Sequence, residues 1–259
     1  MSKTILSAKS IYKRFGAVVA ADDISVDIAA GVTVGIIGAN GAGKTTFVNI
    51  VTGYLKPDRG QILFDGADIT QLSPRQITRL GIRRSFQVAQ LFPNLSVRDN
   101  VLVALAADEA ERPSAVSPLR TPERIAAADG LLERLGLTED APRAITELPQ
   151  GKRKLLDIAL AMVGQASVLF LDEPTSGISA EEKFPLMDLI MEALAGADTT
   201  VLFVEHDMEI VERYALRVLA FYDGRIIADG TAASVLADHD VQRYVVGSEI
   251  HRRTGGAGR

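Results

Sequence analysis

A glycine-rich segment, GANGAGKTT (Gly38 to Thr46), carries the residues of this sequence that are best suited to chemistry. The apolar run VTVGII before it predicts a buried strand, and FVNIVTG after it predicts a helix that ends at Gly53. The spacing GxxxxGK(S/T) between a strand and a helix is typical of a loop that binds polyphosphates. Glycines allow backbone N–H groups to turn inward, and the helix N-terminus adds a positive dipole end. An ordinary glycine turn before a helix is the alternative.

Two side chains of this loop have separate predicted roles. Lys44 is expected to reach the β- and γ-phosphates as a point charge. The hydroxyl of Thr45 is expected to be a ligand of Mg²⁺, a cation that prefers oxygen ligands. The loop therefore predicts a site for a nucleotide together with its magnesium ion.

An acidic pair, Asp172 and Glu173, ends the apolar run VLFLDEP. This run and the one in TTVLFVEHD predict parallel strands that are buried on both faces, with reactive residues at their carboxyl ends. One acid can hold Mg²⁺ opposite Thr45, and the second can orient the water that attacks the γ-phosphate. Alone, such a pair is also compatible with a helix cap or a solvated turn, so its interpretation depends on the phosphate loop.

The elements that must position these residues change in type along the chain. Short strands are expected first, then a helical region, then the buried parallel strands. The expected strands are Ile5 to Lys9, Asp23 to Ile28, Val32 to Ile37 and Gln61 to Phe64, followed by a turn at Asp65-Gly66. Helices are expected after Ser73, Ser96, Thr121 and Ser179 and through KLLDIALAMV. A loop is expected over Asp108 to Thr121, and Pro185 predicts a kink or a late start in its helix.

Composition excludes several classes of function. The chain has 259 residues, a formal net charge of -5 and no cysteine, so we expect no disulfides, no thiolate metal site and no general nucleic-acid surface. The longest mainly apolar stretch, Ile158 to Leu171, is too short and too interrupted for a membrane span. No signal-peptide core is present at the N-terminus. Arg83 and Arg84 are expected to be solvated surface, and the basic tail a frayed end.

Together these motifs resemble the ATP-binding subunits of ABC transporters, from Ile5 to about Gly247. In order along the chain, Phe15 in IYKRFG matches the family's adenine-stacking aromatic residue, and Gln87 in SFQ matches the Q-loop glutamine. LPQGK occupies the place of the signature motif. His206 in VEHDM matches the switch histidine. The resemblance implies an α/β P-loop NTPase of the ABC ATPase type, with a mixed sheet core, an antiparallel β layer and a helical subdomain.

The chain departs from the family pattern at two positions. The signature usually reads LSGGQ, but Pro149 here offers neither a hydroxyl nor an N–H, and Ser179 in SGIS replaces the D-loop aspartate. The segments RSFQ, VEHDM, SGIS and DGRIIADGT resemble the ATPase subunits of branched-chain amino-acid importers. Such importers commonly pair two different ATPase chains, so the resemblance implies a heterodimer with unequal sites.

The resemblance also implies roles for individual residues, partners and a location. Implied catalytic residues are Glu173, His206, Gln87 and Lys44, and implied metal ligands are Thr45, Gln87 and Asp172. Implied ATP-binding residues are Phe15, Gly38, Ala39, Asn40, Gly41, Ala42, Gly43, Lys44, Thr45, Thr46, Gln150 and Gly151. Implied domains are an ATP-binding core of residues 1–87 and 164–247, a helical subdomain of residues 88–163, and a flexible tail of residues 248–259.

The implied cofactors are ATP and Mg²⁺. The implied partners are transmembrane permease subunits, a second ATPase subunit and, indirectly, an extracytoplasmic solute-binding protein, at the cytoplasmic face of the inner membrane. No nucleic acid is expected. Three alternatives stay open at this point: the ATPase of a lipid or lipopolysaccharide exporter, a soluble ABC-type ATPase, and a purely structural nucleotide-binding module.

Overall fold

A computed structural model describes residues 3–85, 91–109, 118–164, 166–196 and 198–247. The chain divides into two compact units, which are described separately: Met1–Ile82 with Asp198–Arg259, and Arg83–Ala197. The domain limits expected from the sequence stay a prediction.

The helices and strands of the described residues fall into three successive parts of the chain. The first part contains β1 (Thr4–Phe15), β2 (Val18–Ala29), β3 (Thr33–Gly38), α1 (Lys44–Val51), β4 (Arg59–Phe64), β5 (Ala67–Asp68), α2 (Pro74–Arg79) and β6 (Ile82–Arg84). The middle contains α3 (Val97–Glu109), α4 (Pro122–Arg134), a 3-10 turn (Ile145–Glu147), α5 (Gln150–Met162), β7 (Val168–Asp172) and α6 (Ala180–Leu194). The last part contains β8 (Thr200–Val204), α7 (Met208–Tyr214), β9 (Arg217–Tyr222), β10 (Arg225–Gly230), α8 (Ala232–Leu236), α9 (His239–Val241) and a π-helical turn (Gln242–Val246).

The first unit contains the expected antiparallel sheet, in the order β2-β1-β4-β5. Strands β1 and β2 are each 12 residues long, so the short strands predicted from the sequence are wrong in their limits. The reason is a set of register shifts between Ala8 and Arg14, because each shift breaks the two-residue alternation from which a strand is predicted. The turn at Asp65-Gly66 is confirmed, and both of its residues have positive φ.

The same unit contains β3 between two parallel neighbours, β8 and β9. All five residues of β8 are buried, as its continuous apolar run predicts. Phe47 of α1 packs on Phe221 of β9 with ring centroids 5.6 Å apart. Gly35 of β3 packs against α7, since a Cβ there would approach Cγ1 of Val211 to 3.2 Å. This close packing fixes the strand that leads into the phosphate loop.

The second unit is mainly helical around β7, whose five residues are all buried. Helices α3, α4 and α6 begin after the caps that the sequence predicts: Ser96 accepts from Asp99, Thr121 accepts from Arg124, and Ser179 is the N-cap of α6. Ser85 N–H donates to the carbonyl of Phe170 over 2.9 Å, which joins the segment after β6 to β7.

Two helix limits in this unit differ from expectation. α5 is not one of them, since it begins at Gln150, after the N-cap residue Pro149, and runs through the predicted segment to Met162. α3 continues to Glu109, two residues into the predicted loop, and residues 110–117 lie outside the described part. α6 begins at Ala180 and includes Pro185, so a late start is wrong. Within the described ranges, none of the helices combines the length and apolar character that a membrane span requires.

Candidate nucleotide-binding site

The phosphate loop connects β3 to α1 in the first unit, as the sequence predicts. Its glycines have the backbone conformations that only glycine adopts without strain: φ is 83° at Gly41 and 104° at Gly43. Gly43 is the N-cap residue of α1 and has no side chain over the helix end. The N–H groups of the first turn of α1 therefore stay accessible to an anion.

Two glycines of the loop lie directly against other backbone. A Cβ at Gly38 would collide with the Phe221 carbonyl oxygen, and one at Gly43 would lie 2.6 Å from the Ala20 carbonyl oxygen. The loop is anchored at Ala42, whose carbonyl accepts the Gly224 N–H over 3.0 Å. The path of the loop is thus fixed by strand β9, the start of β2 and the turn between β9 and β10.

Lys44 folds back over the loop. Its side chain is 6% exposed, and its Nζ donates to the Gly38 carbonyl and, over 3.1 Å, to the Ala39 carbonyl. An ammonium has three N–H donors, so Lys44 can bind a phosphate and still donate to one of these carbonyls. Thr45 and Asn40 are exposed, and Thr46 is half-buried. The lysine charge and the hydroxyl predicted for Mg²⁺ are both in the first turn of α1.

His206 follows β8, the parallel neighbour of β3. The carboxyl ends of adjacent parallel strands meet at one edge of a sheet, so the phosphate loop and His206 share that edge. The backbone N–H of His206 donates to Oε2 of Glu205 over 3.1 Å. Glu205 is 3% exposed, and its N–H donates to the Ile36 carbonyl of β3.

Phe15 ends β1 and pairs with Val18 at the tip of the hairpin. Half of its surface is exposed, and the ammonium of Lys13 lies 5.7 Å from its ring centroid. An exposed ring of this kind offers a face for stacking, which is the role that the resemblance assigns to it.

Asp172 and Glu173 end β7 in the second unit. Asp172 is 6% exposed, and its carboxylate forms a buried ion pair with the guanidinium of Arg84. Glu173 has a φ of 48°, the left-handed region that a glutamate rarely adopts. Such strain is concentrated at functional sites, where the surrounding structure maintains it. The N–H of Ser176 donates to the Glu173 carbonyl over 3.1 Å and fixes the turn.

The signature segment begins α5 in the same unit. Gln150 is exposed and Gly151 is half-buried in the first turn. The Gln150 amide lies against Gly177, because a Cβ at Gly177 would collide with Nε2 of Gln150. Lys152 is bonded to the buried carboxylate of Asp140 over 2.6 Å. Gln87, the predicted Q-loop glutamine, lies outside the described residues.

Sequence reasoning missed the buried charged residues near these motifs. The prediction that Arg83 and Arg84 are solvated surface is wrong, since their side chains are only 11% and 9% exposed and pair with Asp108 and Asp172. Lys154 is also buried and donates to the Asp172 carbonyl over 3.2 Å. The only sequence signal that Arg84 lies near the site was its place directly before SFQ. The sequence does not indicate which acidic residue forms an ion pair with it.

Known proteins resemble this chain in sequence and in fold. The family model described as ABC transporter matches residues 21–176. The high-affinity branched-chain amino acid transport ATP-binding protein LivG of Escherichia coli is 36% identical over 254 residues, which cover 95% of this chain and 99% of that protein. BraF of Pseudomonas aeruginosa, whose name describes the same transport role, is 34% identical over 253 residues with 95% and 99% coverage.

Solved structures agree. An ATP-binding cassette of an ABC transporter in its ADP conformation superposes with a TM-score of 0.84 at 31% identity, covering 93% of this chain and 98% of that chain. A nucleotide-free cassette gives a TM-score of 0.83 with the same identity and coverage. The α/β fold is that of a P-loop ABC ATPase. The chain belongs to the ABC transporter family, as an ATP-binding protein and ATP hydrolase of that type.

Proposed function

We propose that this chain is the ATP-hydrolysing subunit of a transporter that imports branched-chain or related amino acids. The observation that carries the proposal is the phosphate loop, in which Gly38 and Gly43 admit no side chain and Lys44 lies over the loop. The names of the two relatives above, which the chain covers almost completely, support the class of cargo. The proposed location is peripheral, at the cytoplasmic face of the inner membrane.

Binding of ATP uses residues of the first unit. Backbone N–H groups from Asn40 to Thr46 surround the phosphates, and Lys44 neutralises the β- and γ-phosphates. The exposed ring of Phe15 stacks on the adenine. Since the loop glycines are fixed by neighbouring backbone, little conformational freedom is lost when the phosphates bind.

The donor set fits Mg²⁺. The Thr45 hydroxyl and the Asp172 carboxylate are the oxygen ligands that this ion prefers, and Mg²⁺ usually keeps waters and phosphate oxygens as its remaining ligands. Gln87 is proposed as a further ligand. When bound, the ion neutralises negative charge that develops on the phosphates.

Hydrolysis needs a positioned water and stabilised charge rather than a covalent protein group. The strained turn holds Glu173 so that its carboxylate accepts a hydrogen bond from the attacking water. His206 donates to the γ-phosphate from the strand edge that also carries the loop. Gln87 and the helical region after it transmit the closure of the dimer to the membrane partner.

A second subunit completes each site. Gln150 and Gly151 in the first turn of α5 offer a helix N-terminus to the γ-phosphate bound by the partner. Pro149 provides no hydroxyl for that contact. We therefore propose that the partner is a different ATPase chain and that the two sites are unequal. Permease subunits receive the closure of the dimer, and a solute-binding protein delivers cargo to them.

The molar mass of the Glu173→Gln chain, measured by light scattering with and without Mg-ATP, tests the heterodimer. We expect ATP to bind while the chain stays monomeric; an ATP-dependent homodimer would contradict unequal subunits.

The cargo is tested by reconstituting the chain with its partner ATPase, permeases and binding protein in liposomes. ATP-dependent uptake of labelled leucine, isoleucine or valine is expected. ATP-dependent export of lipid without uptake of these amino acids would contradict amino-acid import.

A further inference from the structure

Arg84 and Asp172 form an ion pair in which both side chains are largely shielded from solvent. Each side chain is 9% exposed, and Nη2 of Arg84 donates to Oδ2 of Asp172. A planar guanidinium is well suited to a carboxylate in a buried setting. Asp172 is the acid for which a metal-binding role is proposed above, so one carboxylate serves two cations.

Two hydrogen bonds hold the backbone of Asp172 in place. Its N–H lies 3.4 Å from the Ser85 hydroxyl, the residue next to Arg84. Its carbonyl accepts from the buried ammonium of Lys154 over 3.2 Å. The backbone of Asp172 is therefore held by Ser85 and Lys154, and its carboxylate is bound by the Arg84 guanidinium.

A second cation at this carboxylate must compete with the first. A guanidinium beside a bound Mg²⁺ would place like charges within a few ångströms in a poorly solvated place, where their repulsion is strong. The Arg84 guanidinium must therefore leave the carboxylate for Mg²⁺ to bind there. The free energy needed to break the ion pair lowers the net affinity for Mg²⁺.

We infer that Arg84 is a positioning residue that holds the Asp172 carboxylate in the metal-free state and competes with Mg²⁺ for it when ATP binds. Arg84 thus sets how strongly nucleotide binding depends on Mg²⁺. This inference rests on the proposed function, because it takes Asp172 as a metal ligand.

The test compares Arg84→Gln with Arg83→Gln. Arg83 is the adjacent, half-buried arginine, but it pairs with Asp108 over 2.5 Å and makes a matched control. For each full-length chain, the Kd of the non-hydrolysable analogue AMPPNP is measured by calorimetry in EDTA and in excess Mg²⁺. The Kd in EDTA divided by the Kd in Mg²⁺ reports how much the metal strengthens nucleotide binding, without any turnover.

We expect the ratio to rise about 3- to 10-fold in Arg84→Gln, equivalent to about 0.7–1.4 kcal/mol, and to stay unchanged in Arg83→Gln. Arg84→Lys keeps the cation and should stay within about twofold of the unsubstituted chain. An unchanged or lower ratio in Arg84→Gln overturns the inference and leaves the proposed function intact. Absence of AMPPNP binding in the unsubstituted chain contradicts the proposed function itself.

A structural measurement covers the case in which Arg84→Gln does not fold. A crystal structure of the unsubstituted chain with Mg²⁺ and AMPPNP should show the Arg84 guanidinium beyond hydrogen-bond distance of Asp172 Oδ2, and a metal-free crystal should show the pair intact. Persistence of the pair beside a bound Mg²⁺ overturns the inference.

Discussion

The ammonium of Lys152 lies 2.6 Å from Oδ2 of Asp140, and the carboxylate is only 1% exposed. Arg143 reaches the other oxygen over 2.8 Å. Burial acts to raise the pKa of Asp140, but the hydrogen bonds and charges of Lys152 and Arg143 outweigh it and hold the pKa below its ordinary value. This contact fixes the first turn of α5, which carries the signature residues.

Asp140→Asn is therefore expected to destabilise the chain by about 2 kcal/mol at pH 7, because two charge-assisted hydrogen bonds lose their acceptor charge. A carboxylate with a lowered folded-state pKa stabilises the fold above its unfolded pKa, about 3.9, and loses that effect as the pH falls through the folded pKa. Urea denaturation should show a constant difference from the unsubstituted chain above about pH 5 and a shrinking one below about pH 4.

Asp129→Asn is the matched control for this measurement. Asp129 pairs with Arg98, and both side chains are more than one third exposed. Exposed pairs contribute little, so a change below about 1 kcal/mol is expected. A difference for Asp140→Asn that is as large at pH 3 as at pH 7 would show that the charge of Asp140 is not responsible.

Gly43→Ala should reduce both stability and nucleotide affinity. The added methyl group would lie 2.6 Å from the Ala20 carbonyl oxygen, in a backbone conformation with φ of 104°. A cost of at least about 1–2 kcal/mol follows from the conformation alone. Calorimetric unfolding and an ATP titration measure the two effects.

Gly130→Ala tests whether an added methyl group is harmful in general. Gly130 lies within α4, and a Cβ there would meet no atom within 4 Å. The substitution should stabilise the chain by about 0.5–1 kcal/mol, because alanine is the better helix former. Equal effects of the two substitutions would refute the packing that the structure assigns to Gly43.

Lys44→Ala should weaken ATP binding by about 10- to 100-fold, the effect of losing a charge-assisted contact with the phosphates. The side chain is buried over the loop, so thermal unfolding must be measured alongside the titration. Lys9→Ala removes an exposed lysine of β1 in the same unit and serves as the control. Unaltered affinity in Lys44→Ala would mean that ATP does not bind at this loop.

Most of the phosphate loop could be predicted because its signal is local. The spacing from Gly38 to Lys44 and the flanking apolar runs specify a strand, a turn and a helix start, and the structure contains all three. Caps at Thr121 and Ser179 were predicted for the same reason. Each depends on a few neighbouring residues.

The contacts that join distant residues could not be predicted. Arg84 and Asp172 are 88 positions apart, and nothing in either segment identifies the other. The length of β1 was missed because its register shifts hide the alternation of buried and exposed residues. Glu173 was chosen for its chemistry, but its positive φ became visible only in the structure.

The central claim, that this chain hydrolyses ATP with Glu173 as the residue that orients water, is tested most directly by one comparison. ATP binding and single-turnover hydrolysis are measured for the unsubstituted chain, Glu173→Gln and the control Glu181→Gln, with the partner ATPase present. The account predicts that all three bind ATP and that only Glu173→Gln loses hydrolysis, by about 10²- to 10⁴-fold. Hydrolysis by Glu173→Gln at the rate of the unsubstituted chain would contradict it.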